Sequence, residues 1–229
     1  VSGVRVMMLK VNHTEASPLH DKNVRSAVAH IINYDTMAKV IGGGALAGGA
    51  PFPPSANLGY DGLSNKEVTD LAKANELLTQ AGYVKNGNGI YAKDGKELKL
   101  TLAIWGKDTS MYEEIQQELK QAGIAVELRK LQSPNEVDTL GVDAFDLVER
   151  NVVTMSTNDP YWFLSLFYKS GSKANVGGYN NPQVDTLIDK LAVTFDQNER
   201  TNVDKQVQSI LLDDVADIYL LYPAANVVS

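Results

Sequence analysis

Hydrophobic positions recur along this chain at two spacings, and the switches between them lay out its elements. Leu98, Leu100, Leu102 and Ile104 alternate with Lys99, Thr101 and Ala103, a period of two that predicts a strand. Ser110 and Glu113 read as a capping box, and Ile115, Leu119 and Ala122 then face one way on a helix that Gly123 stops. Ile124, Val126 and Leu128 alternate again as a second strand. Ser133, Pro134 and Glu136 predict another capped helix with Pro at its first position, and a third strand follows at 145–148. Strand, helix, strand, helix, strand at these short spacings argues for parallel strands joined by right-handed crossovers.

The flanks follow the same logic. Residues 5–11 ("RVMMLKV") and 217–222 ("DIYLLY") are strand-like runs near the two ends. Asp21 is placed to cap a helix whose Val24, Ala27, Val28, Ile31 and Ile32 share one face. Asp35 restarts the chain as a second short helix, and Gly42 ends it where a positive φ is needed. Ser64 and Glu67 read as the cap of a helix carrying Leu71, Ala74, Leu78 and Ala81, closed by Gly82. "KNGNGIYAKDG" at 85–95 predicts a hairpin with Asp94-Gly95 as its tight turn. Asp159-Pro160, Asn181-Pro182 and Asp196 open three further helices. The irregular stretch 42–63 carries Phe52 and three prolines, which favours packing against the body. A chain that starts and stops on strands reads as a lobe cut from a larger protein; the alternative is a complete domain whose terminal strands pair.

Composition narrows the classes. The 229 residues carry 21 Lys and Arg against 28 Asp and Glu, a formal charge of −7, which is the wrong sign for a nucleic-acid partner. There is no Cys, so disulfides and thiolate metal sites are excluded. No apolar run approaches the roughly 20 residues that span a bilayer, and the chain does not open on a secretion signal. Enzyme motifs are missing too: there is no G-x-S-x-G, H-E-x-x-H or Walker loop. "GGG" at 42–44 follows a helix instead of opening one, so it is a helix stop and not a phosphate cradle. Glu113-Glu114 and Asp213-Asp214 are adjacent on helices and point to different faces, so neither makes a shared acid/base pair.

The segment "LHDKNVRSAVAHIINYDTMAKVIGGGALAGGAPFPP" at 19–54 resembles one in bacterial extracellular solute-binding proteins of family 5, the oligopeptide-, dipeptide- and nickel-binding group. Its Asp21, Val24-Arg25, Ala27 to Ile32, Asp35 and Gly-rich loop follow the family's order. "KANELLTQAGY" at 73–83, "IQQELKQAGIAVEL" at 115–128, "DAFDLV" at 143–148, "NDPYWFLSLFYKSG" at 158–171 and "GGYNNPQVDTLIDKL" at 177–191 continue the likeness in the same order. The resemblance implies an α/β fold, an open mixed sheet with flanking helices that forms the larger lobe of a type II periplasmic-binding-protein fold. It further implies that 1–229 is the C-terminal lobe alone, with crossing strands near 5–12 and 217–222. The implied role is the substrate-binding component of an ABC importer: a monomer, periplasmic or anchored at the cell surface as a lipoprotein, without a cofactor. It would take a small-molecule or metal-chelate ligand and hand it to a membrane permease.

Ligands of open α/β sheets sit beyond the carboxyl ends of parallel strands, which points to the loops 105–109, 131–133 and 149–159. The last, "ERNVVTMSTND", is the longest and most polar. Arg150 offers a planar guanidinium to a carboxylate; Asn151, Thr154, Ser156, Thr157 and Asn158 offer donors and acceptors; Met155 offers an adaptable apolar contact. Asp159 reads as a helix cap. Tyr179 either reaches the cleft or packs under the last helices. His30 reads as structural, whereas His13, at the end of the first strand, is the candidate metal ligand. Family members that bind oligopeptides hold the amino terminus with an Asp where this chain has Ser156, a charge-assisted bond of about 1.5–3 kcal/mol. Nickel-chelate members have an aromatic residue where Thr154 stands and a His where Ser172 stands. The resulting expectation is a nickel or other metal chelate captured by hinge closure, with a short peptide as the alternative. The rival class is an enzyme or interaction module built on the 149–159 loop.

Overall fold

The computed structural model describes residues 4–56, 58, 68–155 and 159–224. Among them are β1 (Arg5–Val11), α1 (Lys22–Ile31), α2 (Tyr34–Ile41), β2 (Leu46–Ala47), α3 (Leu71–Gln80), β3 (Val84–Lys85), β4 (Tyr91–Lys93), β5 (Lys96–Glu97), β6 (Lys99–Ile104), α4 (Ser110–Ala122), β7 (Ala125–Lys130), β8 (Leu147–Val153), α5 (Tyr161–Phe167), α6 (Pro182–Val193), α7 (Gln197–Asp213) and β9 (Asp217–Tyr222). Six strands form one mixed sheet in the order β2-β9-β1-β8-β6-β7. β6 runs parallel to β7 and β8, whereas β1 is antiparallel to both β8 and β9. The predicted open mixed sheet is therefore present, with its first and last strands side by side next to its middle.

Alternation along the strands sends side chains into two layers. Leu9 and Val11 of β1, Leu100 and Leu102 of β6, and Leu147 of β8 meet α1, α3 and α4 on one face. Val6 and Met8 of β1 and Val152 of β8 meet α5, α6 and α7 on the other. β9 carries a bulge: Met8 pairs with Tyr219 and Met7 with Leu221, so Leu220 is extra. That added residue re-phases the strand. Tyr222 then joins Tyr219 in the second layer, where its hydroxyl donates to the Ala50 carbonyl and accepts from the Ala50 N–H, each at 2.9 Å. Phe52 is buried edge-on against Phe163 at 5.4 Å, so the described part of the 42–63 stretch packs against the body as expected.

Caps explain most helix starts. Asp21, Asn181 and Asp196 accept backbone N–H bonds at the positions expected of them. Four readings change. Asn33, not Asp35, caps α2, because its Oδ1 takes the Thr36 N–H at 3.0 Å. Asp70 caps α3; the proposed Ser64–Glu67 cap lies outside the described residues. At α4 the pair that forms is Thr109 Oγ1 to Glu113 Oε1, 2.6 Å, while Ser110 turns to Asp108. The capped segment after Ser133 is a short 3₁₀ turn, Pro134–Thr139, not an α-helix. The Asp94-Gly95 turn forms with both residues at positive φ, and β3, β4 and β5 build a small separate sheet around it. The family-like Val24-Arg25 is scaffold: buried Arg25 donates to the carbonyls of Leu19, His20 and Asp214, which ties α1 to the turn before β9.

Candidate functional site

The third strand of the parallel group differs most from expectation. It runs from Leu147 to Val153, so Glu149, Arg150 and Asn151 belong to β8 and not to a loop. β8 stays in the sheet because β1 pairs with it residue for residue from Arg5↔Val153 to Val11↔Leu147. Strand alternation then splits the predicted site. Asn151 and Glu149 share the face of Leu147, whereas Arg150 faces the other layer, where its charge acts on Lys10.

Thr154 is buried, and both its N–H and its hydroxyl are spent on the Val4 carbonyl, at 2.8 and 3.0 Å. Met155 is buried in the second layer. Ser156, Thr157 and Asn158 lie outside the described residues. Asp159 is not the cap expected of it, because Pro160 holds the N-cap position of α5; it accepts the Tyr161 N–H at 2.8 Å from one residue further out and pairs with Arg200. Tyr179 is buried: its hydroxyl donates to Asp214 at 2.7 Å, and its ring sits edge-on to His13 and Tyr168.

His13 touches the Ala216 carbonyl through Nε2 at 2.8 Å. A carbonyl only accepts, so Nε2 carries the proton and is not open to a metal in this arrangement. Burial, with Arg25 nearby, pushes the His13 pKa down to about 3, so the ring is neutral. His30 binds the Val68 carbonyl at 2.6 Å, a structural role as expected. No group of three or more His, Asp or Glu able to hold a metal ion occurs among the described residues.

A concavity lies at the carboxyl end of β6. That strand stops at Ile104 while β8 continues beside β1, and the chain turns away through 105–109 before α4 begins. The gap is a cavity of about 320 Å³ lined by Met7, Ile41, Trp105 to Asp108, Met111, Tyr112, Glu149 and Asn151. Its walls are largely apolar and aromatic, with Asn151 held by Arg5 at 3.3 Å. Glu149 forms the base. It is 5% exposed, is held by the Tyr112 hydroxyl and the Trp105 N–H, and burial raises its pKa above the usual carboxylate range. A larger groove, about 660 Å³, opens where β7 begins, the end of the parallel strands at which ligands do not collect.

Of the predicted residues, only Asn151 lines the cavity; the loop 105–109 does so as expected, but its Trp105 was not singled out, nor were Tyr112 and Glu149. The available signal was an acid, Glu149, inside an otherwise strand-like run, "LVERNVV".

Residues 1–175 match the family described as bacterial extracellular solute-binding proteins, family 5 middle. This chain belongs to that family. The family-5 chain is 28% identical over 225 residues to the probable D,D-dipeptide-binding periplasmic protein DdpA of Escherichia coli K12, covering 95% of this chain and 40% of that protein. Its fold is similar to that of NikA from Staphylococcus aureus in complex with Ni(L-His)2, with a TM-score of 0.83, 26% identity and coverage of 97% of this chain and 46% of that one. It is also similar to the nickel ABC transporter protein from Bacillus halodurans, with a TM-score of 0.87, 26% identity and coverage of 98% and 47%. The family-5 chain therefore has the type II periplasmic-binding fold and spans less than half the length of these relatives.

Proposed function

We propose that this chain is the C-terminal lobe of a two-lobed receptor that captures a solute outside the cytoplasm and delivers it to an ABC importer. The observation that carries the reading is the match of nearly the whole chain to less than half of each relative. On this reading β1 and β9 are the strands that cross to the other lobe, and the cavity at the end of β6 is one wall of the cleft. Closure about those strands would be driven by contacts that the ligand makes only in the closed form. The receptor works as a monomer beside its permease, secured to the envelope as a periplasmic protein or a lipoprotein, and performs no catalysis.

The ligand we favour is a nickel or other metal chelate, supported by the nickel-binding relatives and by Ser156 where peptide binders carry an acid. The metal would be cargo inside its organic chelator, so the lobe would recognise the chelator through Trp105, Tyr112, Asn151 and Glu149 instead of building its own metal cage. A short peptide is the second reading, favoured by the buried carboxylate of Glu149, which could replace Ser156 as the partner of an amino terminus. Calorimetry tests the half-site directly. The 229-residue chain should bind Ni(II)–histidine or dipeptides at millimolar affinity or weaker, and the full-length receptor far more tightly; micromolar binding by the 229-residue chain would overturn the proposal.

A further inference from the structure

The hairpin tip between β3 and β4 holds the chain's two Asn-Gly pairs, Asn86-Gly87 and Asn88-Gly89. Asparagine before glycine is prone to react with its own backbone, because glycine has no Cβ to keep its nitrogen away from the neighbouring Cγ. The fold treats the two pairs differently. Asn86 is tethered at both ends of its carboxamide. Its Oδ1 accepts the N–H groups of Asn88 at 2.9 Å and Ile90 at 3.1 Å, and its Nδ2 donates to Glu97 Oε1 at 2.8 Å. Asn88 is exposed, and its carboxamide has no partner among the described residues. Only the Gly89 N–H is engaged, donating to the Asn86 carbonyl at 2.9 Å. A Cβ built on Gly89 would meet nothing within 4 Å, so a ring has room to form there.

We propose that Asn88-Gly89 is a modification site, at which Asn88 becomes aspartate and isoaspartate with water as the only co-reactant, while Asn86 is held unreactive two residues away. The Gly89 nitrogen attacks Asn88 Cγ. A bond forms between them as the Cγ–Nδ2 bond breaks, and Nδ2 leaves as ammonia with the proton that the Gly89 nitrogen gives up. Water then opens the five-membered imide, at Cγ to give aspartate or at the backbone carbonyl to give isoaspartate; nothing is oxidised or reduced. To react, Asn88 gives up the single Gly89 turn bond, whereas Asn86 must release three bonds of its own side chain. The product matters to the neighbouring surface. Isoaspartate lengthens the main chain by a methylene next to Gly89, whose carbonyl is packed so closely on Gly123 that a Cβ there would sit 2.6 Å from it. The Tyr91 N–H ties the same hairpin to the Gly123 carbonyl at 2.9 Å. Conversion therefore loosens the hairpin at the mouth of the groove lined by Ile90, Gly123 and Ile124. None of this depends on the receptor reading.

The test is a timed incubation of the 229-residue chain in mildly alkaline buffer, folded and in urea, read by peptide mapping. Mass spectrometry reports the change from amide to acid at each asparagine, and electron-transfer fragmentation separates isoaspartate from aspartate. In the folded chain Asn88 should convert at least about tenfold faster than Asn86, the two tethers by which they differ being worth about that much. In urea the two rates should become equal, because the tethers are gone and both pairs have the same local sequence. Glu97→Ala removes one tether and should speed Asn86 while leaving Asn88 unchanged. Asn86 converting as fast as Asn88 in the folded chain overturns the proposal. So does an Asn88 rate no greater than that of exposed Asn198, which precedes Glu199, or a gap between Asn88 and Asn86 that persists in urea.

Discussion

Asp217 and Glu149 are both carboxylates on strands of one sheet, both cut off from solvent, and they are treated in opposite ways. Asp217 is matched on every side. Its Oδ2 takes the Lys10 ammonium at 2.8 Å and its Oδ1 the Val11 N–H at 3.1 Å, while Lys10 also reaches the Phe167 carbonyl and lies 4.4 Å above the Tyr168 ring. Glu149 has one side satisfied and one open. The first arrangement locks β1 to β9 and to α5. The second leaves one carboxylate oxygen sealed and unmatched beside the cavity at the end of β6. The same cost of burying charge is thus offset at one place and left standing at the other.

The largest test of this contrast is Lys10→Met. It leaves Asp217 buried without its ammonium and should cost about 3–5 kcal/mol in urea unfolding; adding Asp217→Asn should recover much of the loss. A single-mutant cost near zero would mean that the locked site is not locked. Acid should act next. His13, beside β9, has a folded pKa of about 3, well below its unfolded value, so only the unfolded chain takes up its proton between the two. Stability should therefore fall as pH drops from about 6.5 towards 3, by up to ~1.4 kcal/mol per unit. His13→Gln should flatten that slope in thermal melts across the range.

Glu149→Gln gives the smallest effect and the opposite sign. The raised folded pKa of Glu149 means that its ionised form opposes folding, a penalty present above that pKa and relieved as pH falls through it. The amide should raise stability at pH 7 by up to about 1 kcal/mol and remove that relief. A loss of stability would place Glu149 with Asp217, as a structural group.

Much of the locked half was legible in the chain. The strands at 5–11 and 217–222 appear with the expected bounds because their apolar runs are short, continuous and flanked by polar residues. The caps at Asp21, Asn181 and Asp196 follow from the local reach of an Asx side chain to the next N–H groups. The open half was not legible, because its defining facts are long-range. Glu149 and Arg150 look like loop residues until β1 is known to pair with them, and no local pattern records that β6 stops short while β8 goes on. Family likeness carried the fold; it could not show that Thr154 is spent on Val4 or that Tyr179 is spent on Asp214.

Leu220 gives the sheet a parity. With this one surplus residue, Tyr219 and Tyr222 fall on the same side, and the second of them can clasp Ala50 and fasten the Gly/Pro segment to the body. Deleting Leu220 would swap odd for even from that point onward: the phenol ring would swing among the leucines facing α1, and the clasp would come undone although every other residue was still present.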